Sequence, residues 1–260
     1  MRKIFICVFI FTLLASSSFA LQSLFTAPGI GQGKSKLLIS YGTDHWAPYQ
    51  IDVDPTSNDT ISTGLQWQFG LIDDLDFLLS YDQEVLDKMH ENYASLGNIS
   101  PNPGSSSILA FKKTFYSEKN NAPLDFAVAL GYGDKQSSVN YNIPSLGINR
   151  TVYELTANQY WGYFFSKTIN NMLLYFNFSS NGYTTYENVW ANQYFSHIGM
   201  YSIGFEKNIE NNFSFIMEYD FGYAEIGVGY TKAASPFGAG TTDIYTATIS
   251  GLTESVSYRF

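Results

Sequence analysis

The sequence predicts an all-β fold, an antiparallel up-and-down transmembrane β-barrel of ten strands, and three observations carry that expectation. Large apolar and small polar residues alternate with period two along much of the chain, the pattern of a strand whose faces meet different surroundings. The connections between alternating segments are short and long in strict succession. The chain also closes on a strand, Val256-Ser257-Tyr258-Arg259-Phe260, with Val256, Tyr258 and Phe260 on one side and Ser257 and Arg259 on the other.

The first twenty residues have the make-up of a secretory signal. Arg2 and Lys3 give the positive start, Ile4 to Ala15 an apolar stretch shorter than the ~20 residues of a membrane helix, and Ser18-Phe19-Ala20 a small-x-small cleavage site. The expected organisation is therefore 1–20 signal peptide and 21–260 one barrel domain. An export signal joined to a strand ending on a terminal aromatic is how bacterial outer-membrane barrels present themselves to the barrel-assembly machinery. The expected location is the bacterial outer membrane, with its lipid and that machinery as partners.

Cys7, the single cysteine, falls inside the signal, which removes disulfide, thiolate-metal and cysteine-nucleophile chemistry from the mature chain. Without Arg2 and Lys3 the 14 basic residues become 12 against 23 acidic ones, 12 − 23 = −11, a balance that repels nucleic acid. After the signal there is no apolar run of the ~18 residues that marks a membrane helix, so strands must make any span.

Taken in order, the strands are expected near 34–46, 60–71, 75–83, 106–117, 124–134, 151–166, 171–182, 193–206, 212–230 and 243–260. The second is set by Leu65, Trp67, Phe69 and Leu71 against Gln66, Gln68 and Gly70. After Asp73-Asp74 the third puts Leu75, Phe77, Leu79 and Tyr81 opposite Asp76, Leu78, Ser80 and Asp82, so the two form a tight hairpin. The fifth sets Leu124, Phe126, Val128, Leu130 and Tyr132 against Asp125, Ala127, Ala129, Gly131 and Gly133. The seventh rests on Met172, Leu174, Phe176 and Phe178. The ninth sets Phe213, Phe215, Met217, Tyr219 and Phe221 against Ser214, Ile216, Glu218, Asp220 and Gly222.

Connections near 72–74, 118–123, 167–170 and 207–211 are short, while those near 47–59, 84–105, 135–150, 183–192 and 231–242 are long. Short periplasmic turns, long extracellular loops and an even strand count are the requirements of a membrane barrel. A hairpin hidden in 135–165 or 212–260 would make twelve strands. A β-sandwich also alternates, but the polar faces here carry mostly Gly, Ala, Ser, Gln and Asn, with only 14% charged residues in the chain, which suits an enclosed lumen better than a water-washed sheet. Aromatics, 17% of residues, recur near strand ends at Tyr41, Trp46, Tyr81, Phe115, Tyr132, Trp161, Tyr163 and Phe165, as interfacial girdles require.

Two places resist the pattern. The parity of the last strand points Glu254 at lipid, and a β-bulge near Glu254 and Ser255 would turn it inward and bring Tyr245, Ala247 and Ile249 out. In 193–206 both faces carry apolar groups, which leaves the direction of His197 open.

The same parity sends Asp76, Asp82, Asp125, Glu154, Glu218, Asp220, Lys112 and Arg259 into the lumen, where barrel closure brings neighbouring strands within ~5 Å. These groups either pair and plug a narrow interior or line a polar path that favours positive and neutral solutes. For catalysis the sequence offers Asp44-His45 as a candidate pair. Ser196 and His197 are adjacent on a strand and face opposite ways, so they form no dyad. The spacing of His and carboxylates gives no metal set, and Asp52, Asp54 and Asp59 read as a solvated loop. No cofactor is implied. Loop 84–105, with Glu84, Asp87, Lys88, His90 and Glu91 before Pro101 and Pro103, is long enough to fold over the mouth as a lid.

Thr26-Ala27-Pro28 and Gly31-Gln32-Gly33-Lys34 leading into Leu37-Leu38-Ile39-Ser40-Tyr41-Gly42, then Phe69-Gly70-Leu71-Ile72-Asp73-Asp74-Leu75-Asp76-Phe77, resemble the opening of outer-membrane transporters of the phenol meta-pathway type. The ending Val256 to Phe260 is similar too, although Ser255 stands where the general assembly signal prefers glycine. The resemblance implies a barrel that passes small, often apolar or aromatic, molecules and brings no catalytic residues. The expected function is thus a passive channel or uptake protein for a small-molecule solute; the alternative is a surface-binding or structural barrel with a plugged lumen.

Overall fold

The computed structural model describes residues 25–49, 58–88, 98–143, 148–185, 191–210, 212–230 and 242–260. Ten strands are present among them: β1 (Ser35–Tyr49), β2 (Asn58–Ile72), β3 (Leu75–Lys88), β4 (Asn98–Tyr116), β5 (Asp125–Ile143), β6 (Ile148–Ile169), β7 (Met172–Thr185), β8 (Ala191–Glu210), β9 (Phe213–Tyr230) and β10 (Thr242–Arg259). Each pairs antiparallel with its sequence neighbours, and β1 pairs with β10 to close the barrel. The twelve-strand alternative falls, because 125–143 with 148–169, and 213–230 with 242–259, are simple hairpins.

Closure removes the exposed edges that would otherwise template aggregation. At the rim where β1 begins and β10 ends it is completed by two backbone hydrogen bonds, Ser35 N to Phe260 O (2.8 Å) and Phe260 N to Ser35 O (2.9 Å). The terminal aromatic therefore lies on the seam itself. The turns at this end are tight. Asn170 and Asn171, at φ 51° and 62°, supply the two left-handed residues that a two-residue hairpin needs. Ser117 caps a single 3-10 turn, Glu118–Asn120, that leads into β5.

The two faces of each strand differ as the alternation requires. Leu65, Leu79, Tyr81, Leu109, Phe111, Leu130, Tyr132, Phe176, Ile203 and Tyr219 are exposed, while Gln66, Gln68, Ser80, Asp82, Ala127, Ala129, Asn177 and Asp220 are buried. On the outside, rings meet across the strands in a near-continuous girdle. Phe126 lies 5.0 Å from Phe165, Phe165 6.4 Å from Phe176, Phe176 6.2 Å from Tyr201, and Tyr201 5.4 Å from Phe221. Such cross-strand aromatic pairs pin the register as well as covering the band that faces hydrocarbon.

Two expectations need correction. β10 pairs with β1 and β9 without a register shift across residues 251–258, so there is no bulge at Glu254 and Ser255. Glu254 keeps the outward parity of Leu252 and Val256, half-buried on the outer wall opposite Tyr41 and Met217, while Thr253, Ser255 and Ser257 are buried inside. The cost of an acidic group on the lipid face is smaller than that of a basic one and falls away from the midplane, which is why the pairing is kept intact. Loop 84–105 is also mostly strand, since β3 runs to Lys88 and β4 begins at Asn98; the lid expectation now concerns 89–97, which lie outside the described residues. Strands that project beyond the membrane band lose their apolar alternation, and for that reason they read as loop.

Candidate functional site in the barrel lumen

The lumen is not lined by strands alone. Ahead of β1, residues 25–30 run inside the barrel along the inner faces of β3 to β7, and 31–34 lead out along its rim. Phe25, Thr26 and Ala27 are buried there. The apolar part of this seat is made by Leu78, Ile108, Ala110, Ala127, Ala129, Tyr160 and Phe164, which form one cluster with Phe25 and Ala27. Small residues on β4 and β5 leave the width that a second chain needs.

The backbone polar groups of the segment are met by inward side chains. Asn177 Nδ2 donates to Phe25 O (3.0 Å), Thr114 Oγ1 donates to Ala27 O (2.9 Å), and Ala27 N donates to Ser166 Oγ (3.0 Å). Lys112 Nζ donates to Thr26 O (2.5 Å) and Pro28 O (2.9 Å) and lies 3.2 Å from Asp76 Oδ2. Both partners of that ion pair are fully buried. Gln68 Nε2 donates to the same Asp76 oxygen (2.7 Å), and Ile30 N donates to Asp76 Oδ1 (3.4 Å). A buried ammonium has three protons to satisfy, and two segment carbonyls with one carboxylate satisfy them.

At its base the segment turns onto β2, where Gly33 N donates to Gly70 O (2.8 Å) and Gly70 N to Lys34 O (3.0 Å). The approach is so close that a Cβ at Gly70 would overlap the carbonyl of Gly31. Gly31 and Gly33 adopt φ of 92° and 73°, which ordinary residues avoid.

The wall made by β8, β9, β10 and β1 is different. Glu206 Oε2 accepts from Lys36 Nζ (2.7 Å) and Glu206 Oε1 from Arg259 Nη2 (2.7 Å), which places one buried carboxylate between two cations. Above it Glu218 and Asp220 are buried on β9; Ser202 Oγ donates to Asp220, and Tyr175 lies against Glu218 with its ring over Gly204. Ser40, Thr253, Ser255 and Ser257 add buried hydroxyls, Ser40 and Ser255 directly opposite each other across β1 and β10. Buried charged residues described in the chain comprise Asp76, Asp82, Asp125, Glu206, Glu218 and Asp220 against Lys36 and Lys112.

Between the segment and the β8–β10 wall a cavity of about 1020 Å³ opens at the end of the barrel that carries the Ser35–Phe260 seam, bordered by Pro28, Lys36, Asp125, Glu206, Asn212 and Arg259 among others. Higher up the interior is closed: Leu78, Lys112, Phe164, Glu218 and Thr253 have no accessible surface.

The sequence-derived lumen residues thus separate. Asp76 and Lys112 meet in one cluster, whereas Glu218 and Asp220 stand on the other wall. Asp125 opens β5 and accepts from Glu118 N (2.8 Å), so it caps a turn at the mouth. Arg259 sits half in the opening at the seam end. Glu154 pairs in register with Ser137, but its side chain lies outside the described residues, as do those of His45, His90 and His197. Lys36 and Glu206 are not among the lumen residues that the sequence pattern singles out. Lys36 shares its strand face with Leu38 and Ser40, and that alternation could have revealed it; Glu206 ends the segment whose parity was ambiguous. No group of His, Cys, Asp and Glu suited to a metal occurs among the described residues.

In the turn cluster below the barrel, Lys167 Nζ lies 2.5 Å from Glu118 Oε1 and Thr168 N donates to Glu118 Oε2 (2.8 Å). The hydrogen bond from Lys167, with help from Thr168, holds the Glu118 carboxyl below the usual carboxylate range.

The same closed barrel is found in solved structures. The outer membrane protease OmpT from Escherichia coli superposes with a TM-score of 0.50 at 11% identity, over 93% of this chain and 100% of that one. This chain has the fold of a closed, ten-stranded antiparallel β-barrel. At that identity the likeness speaks for the fold alone. An outer membrane channel from Pseudomonas putida F1 (TM-score 0.48, 10% identity, 93% of this chain and 100% of that one) is also similar, as is the translocator domain of the autotransporter NalP from Neisseria meningitidis (0.46, 10%, 88% and 89%). No protein-family model matches the chain, and no curated protein matches it in sequence.

Proposed function

We propose that the barrel is a passive channel or uptake protein for small solutes, with its lumen charges setting the preference. The observation that carries this reading is an interior wall rich in carboxylates and hydroxyls above a cavity that opens at the seam end of the barrel. Glu218 and Asp220 on this wall favour cationic and neutral polar solutes through their local field, while Glu206 is balanced by Lys36 and Arg259. The resemblance of the opening motifs to phenol meta-pathway transporters favours small apolar or aromatic ones instead, and the apolar wall around Phe164 suits them. Reconstitution in planar bilayers and liposome swelling test the channel and rank the solutes. Neutralising Glu218 and Asp220 together lowers the cation preference; an impermeable barrel, unaltered by Asp125→Asn or Glu218→Gln, contradicts the reading.

A second reading, a plugged barrel whose loops bind a partner, draws on the closed interior at Lys112 and Phe164. Trimming residues 89–97 distinguishes it, by abolishing surface binding while leaving permeability as it was. Neither reading assigns catalysis to the chain. Unchanged turnover of a lipid or peptide substrate after His45→Ala disposes of the Asp44-His45 pair as a hydrolase.

Two processing steps belong with this reading. The 1–20 segment is removed as a leader, so the intact mass of the outer-membrane form begins at Leu21. The assembly machinery reads β10, so removing Phe260 lowers the folded fraction in the outer membrane.

A further inference from the structure

We propose that the cavity at the seam end is a binding site for a small organic acid, a carboxylate carrying a compact apolar body. Binding there stands whether or not a solute goes on to cross the barrel.

The charge of this cavity runs against that of the chain. The sequence carries 23 acidic and 14 basic residues, yet the cavity is bordered by five cationic residues, Lys34, Lys36, Lys119, Lys207 and Arg259, against Glu118, Asp125 and Glu206. Those three carboxylates are already held. Glu118 is taken by Lys167 and by Thr168 N, Asp125 accepts from Glu118 N, and Glu206 lies between Lys36 and Arg259. Lys36 and Arg259 are register partners across β1 and β10, so their side chains stand side by side on a single acid. The trio keeps a net positive charge at the cavity.

Both cations have donors left over. Lys36 is buried, and Glu206 takes one of the three protons of its ammonium; no second hydrogen bond joins that ammonium to a described residue. Unmatched protons on a buried ammonium are costly until something else accepts from them. Arg259 spends Nη2 on Glu206, and its planar fork leaves further N–H groups at the half-exposed mouth, suited to a carboxylate held by two parallel bonds. Lys34 and Lys119 are exposed at the same mouth and form no ion pair with a described residue, so their field draws an anion in.

The apolar half of the ligand follows from the rest of the lining. Pro28, Ile30, Leu173 and Phe260 border the same space of about 1020 Å³, which accommodates a ring-sized body with its water. Glu218 and Asp220 stand higher on the wall and repel the same ligand, which confines it to this end.

The test titrates the full mature barrel in detergent micelles, by isothermal calorimetry at low salt, with benzoate, benzyl alcohol and benzylamine, ring compounds that differ chiefly in charge. Benzoate binds roughly tenfold or more tighter than the other two, and about tenfold more weakly in Arg259→Gln, the scale of one charge-assisted hydrogen bond. Lys34→Gln combined with Lys119→Gln weakens it by roughly threefold, as raised salt does. These two changes are on the surface and leave the buried trio intact, so misfolding of the Arg259 variant still leaves a test. Benzoate bound no tighter than benzyl alcohol, or unaltered by either variant, overturns the site. Acetate bound as tightly as benzoate leaves the anion site and overturns its apolar half. Liposome swelling with the same protein reads the channel separately: an impermeable barrel that binds benzoate contradicts passage and supports the site.

Discussion

The inner faces of β3–β6 and of β8–β1 come from the same alternation and sit behind the same greasy outer surface, yet they are built from different material. One side carries mainly Leu78, Ile108, Ala110, Ala127, Ala129 and Phe164, with Asp76, Asp82 and Lys112 among them; the other carries mainly Glu206, Ser214, Glu218, Asp220, Thr253, Ser255 and Ser257, with Leu38, Met200 and Ile216 among them. What each wall faces explains the difference. The first holds a length of chain and is packed as a protein core, with its one ion pair fully engaged. The second holds no such segment; its buried carboxylates and hydroxyls stand above the cavity that Glu206 and Arg259 border. Period-two alternation separates lipid from lumen; it does not say what fills the lumen.

The comparison is broken most severely by Lys112→Met, which strands Asp76 and two segment carbonyls in a closed interior. Removing one partner of a buried pair costs about 3–5 kcal/mol, read as a lowered midpoint of urea unfolding in detergent or lipid. Leu78→Ala in the same wall leaves a cavity under Phe25 and Phe164 and costs about 2–5 kcal/mol by the same measurement. Ser255→Ala on the opposite wall sharpens the contrast. Its hydroxyl has no hydrogen-bond partner in the structure, so its loss changes stability by less than about 1 kcal/mol. A cost there as large as for Leu78→Ala would mean that the two walls are equally core-like.

The smallest effect belongs to the turn outside both walls. Glu118 has its carboxyl lowered from the ordinary 4.5, chiefly by the hydrogen bond from Lys167. A group depressed in the folded state contributes stability that is present above its unfolded value and is lost as pH falls through its lowered folded value. Acidification from about pH 6 to about pH 3 therefore destabilises the native chain slightly more than Glu118→Gln, measured as the difference in thermal midpoint.

The strand count, the two faces, the membrane band and the inward direction of Asp76, Lys112, Glu218 and Asp220 were legible because each is local: residue i and residue i+2 share an environment. The rest depends on partners far apart in sequence. Residues 25–34 have no period and abound in Gly and Pro, so they read as a lead-in to β1; the interior position of 25–30 is set by Lys112, Ser166 and Asn177, more than 80 residues away. The Glu206 pair with Lys36 spans 170 positions. A bulge at Glu254 follows from the cost of one exposed acid taken alone, and seventeen register pairs between β10 and β9 outweigh that cost. The long connections shrank because strand ends above the hydrocarbon need no apolar face.

Amide hydrogen exchange at Ala27, in the native barrel in lipid, tests most directly whether the segment resides inside. Its N–H is buried and donates to Ser166 Oγ. It should exchange as slowly as the amides of β5 and β6 that surround it, while the exposed Gln32 N–H exchanges faster. Exchange of Ala27 at the rate of an unstructured peptide would place the segment outside the lumen and remove the distinction between the two walls.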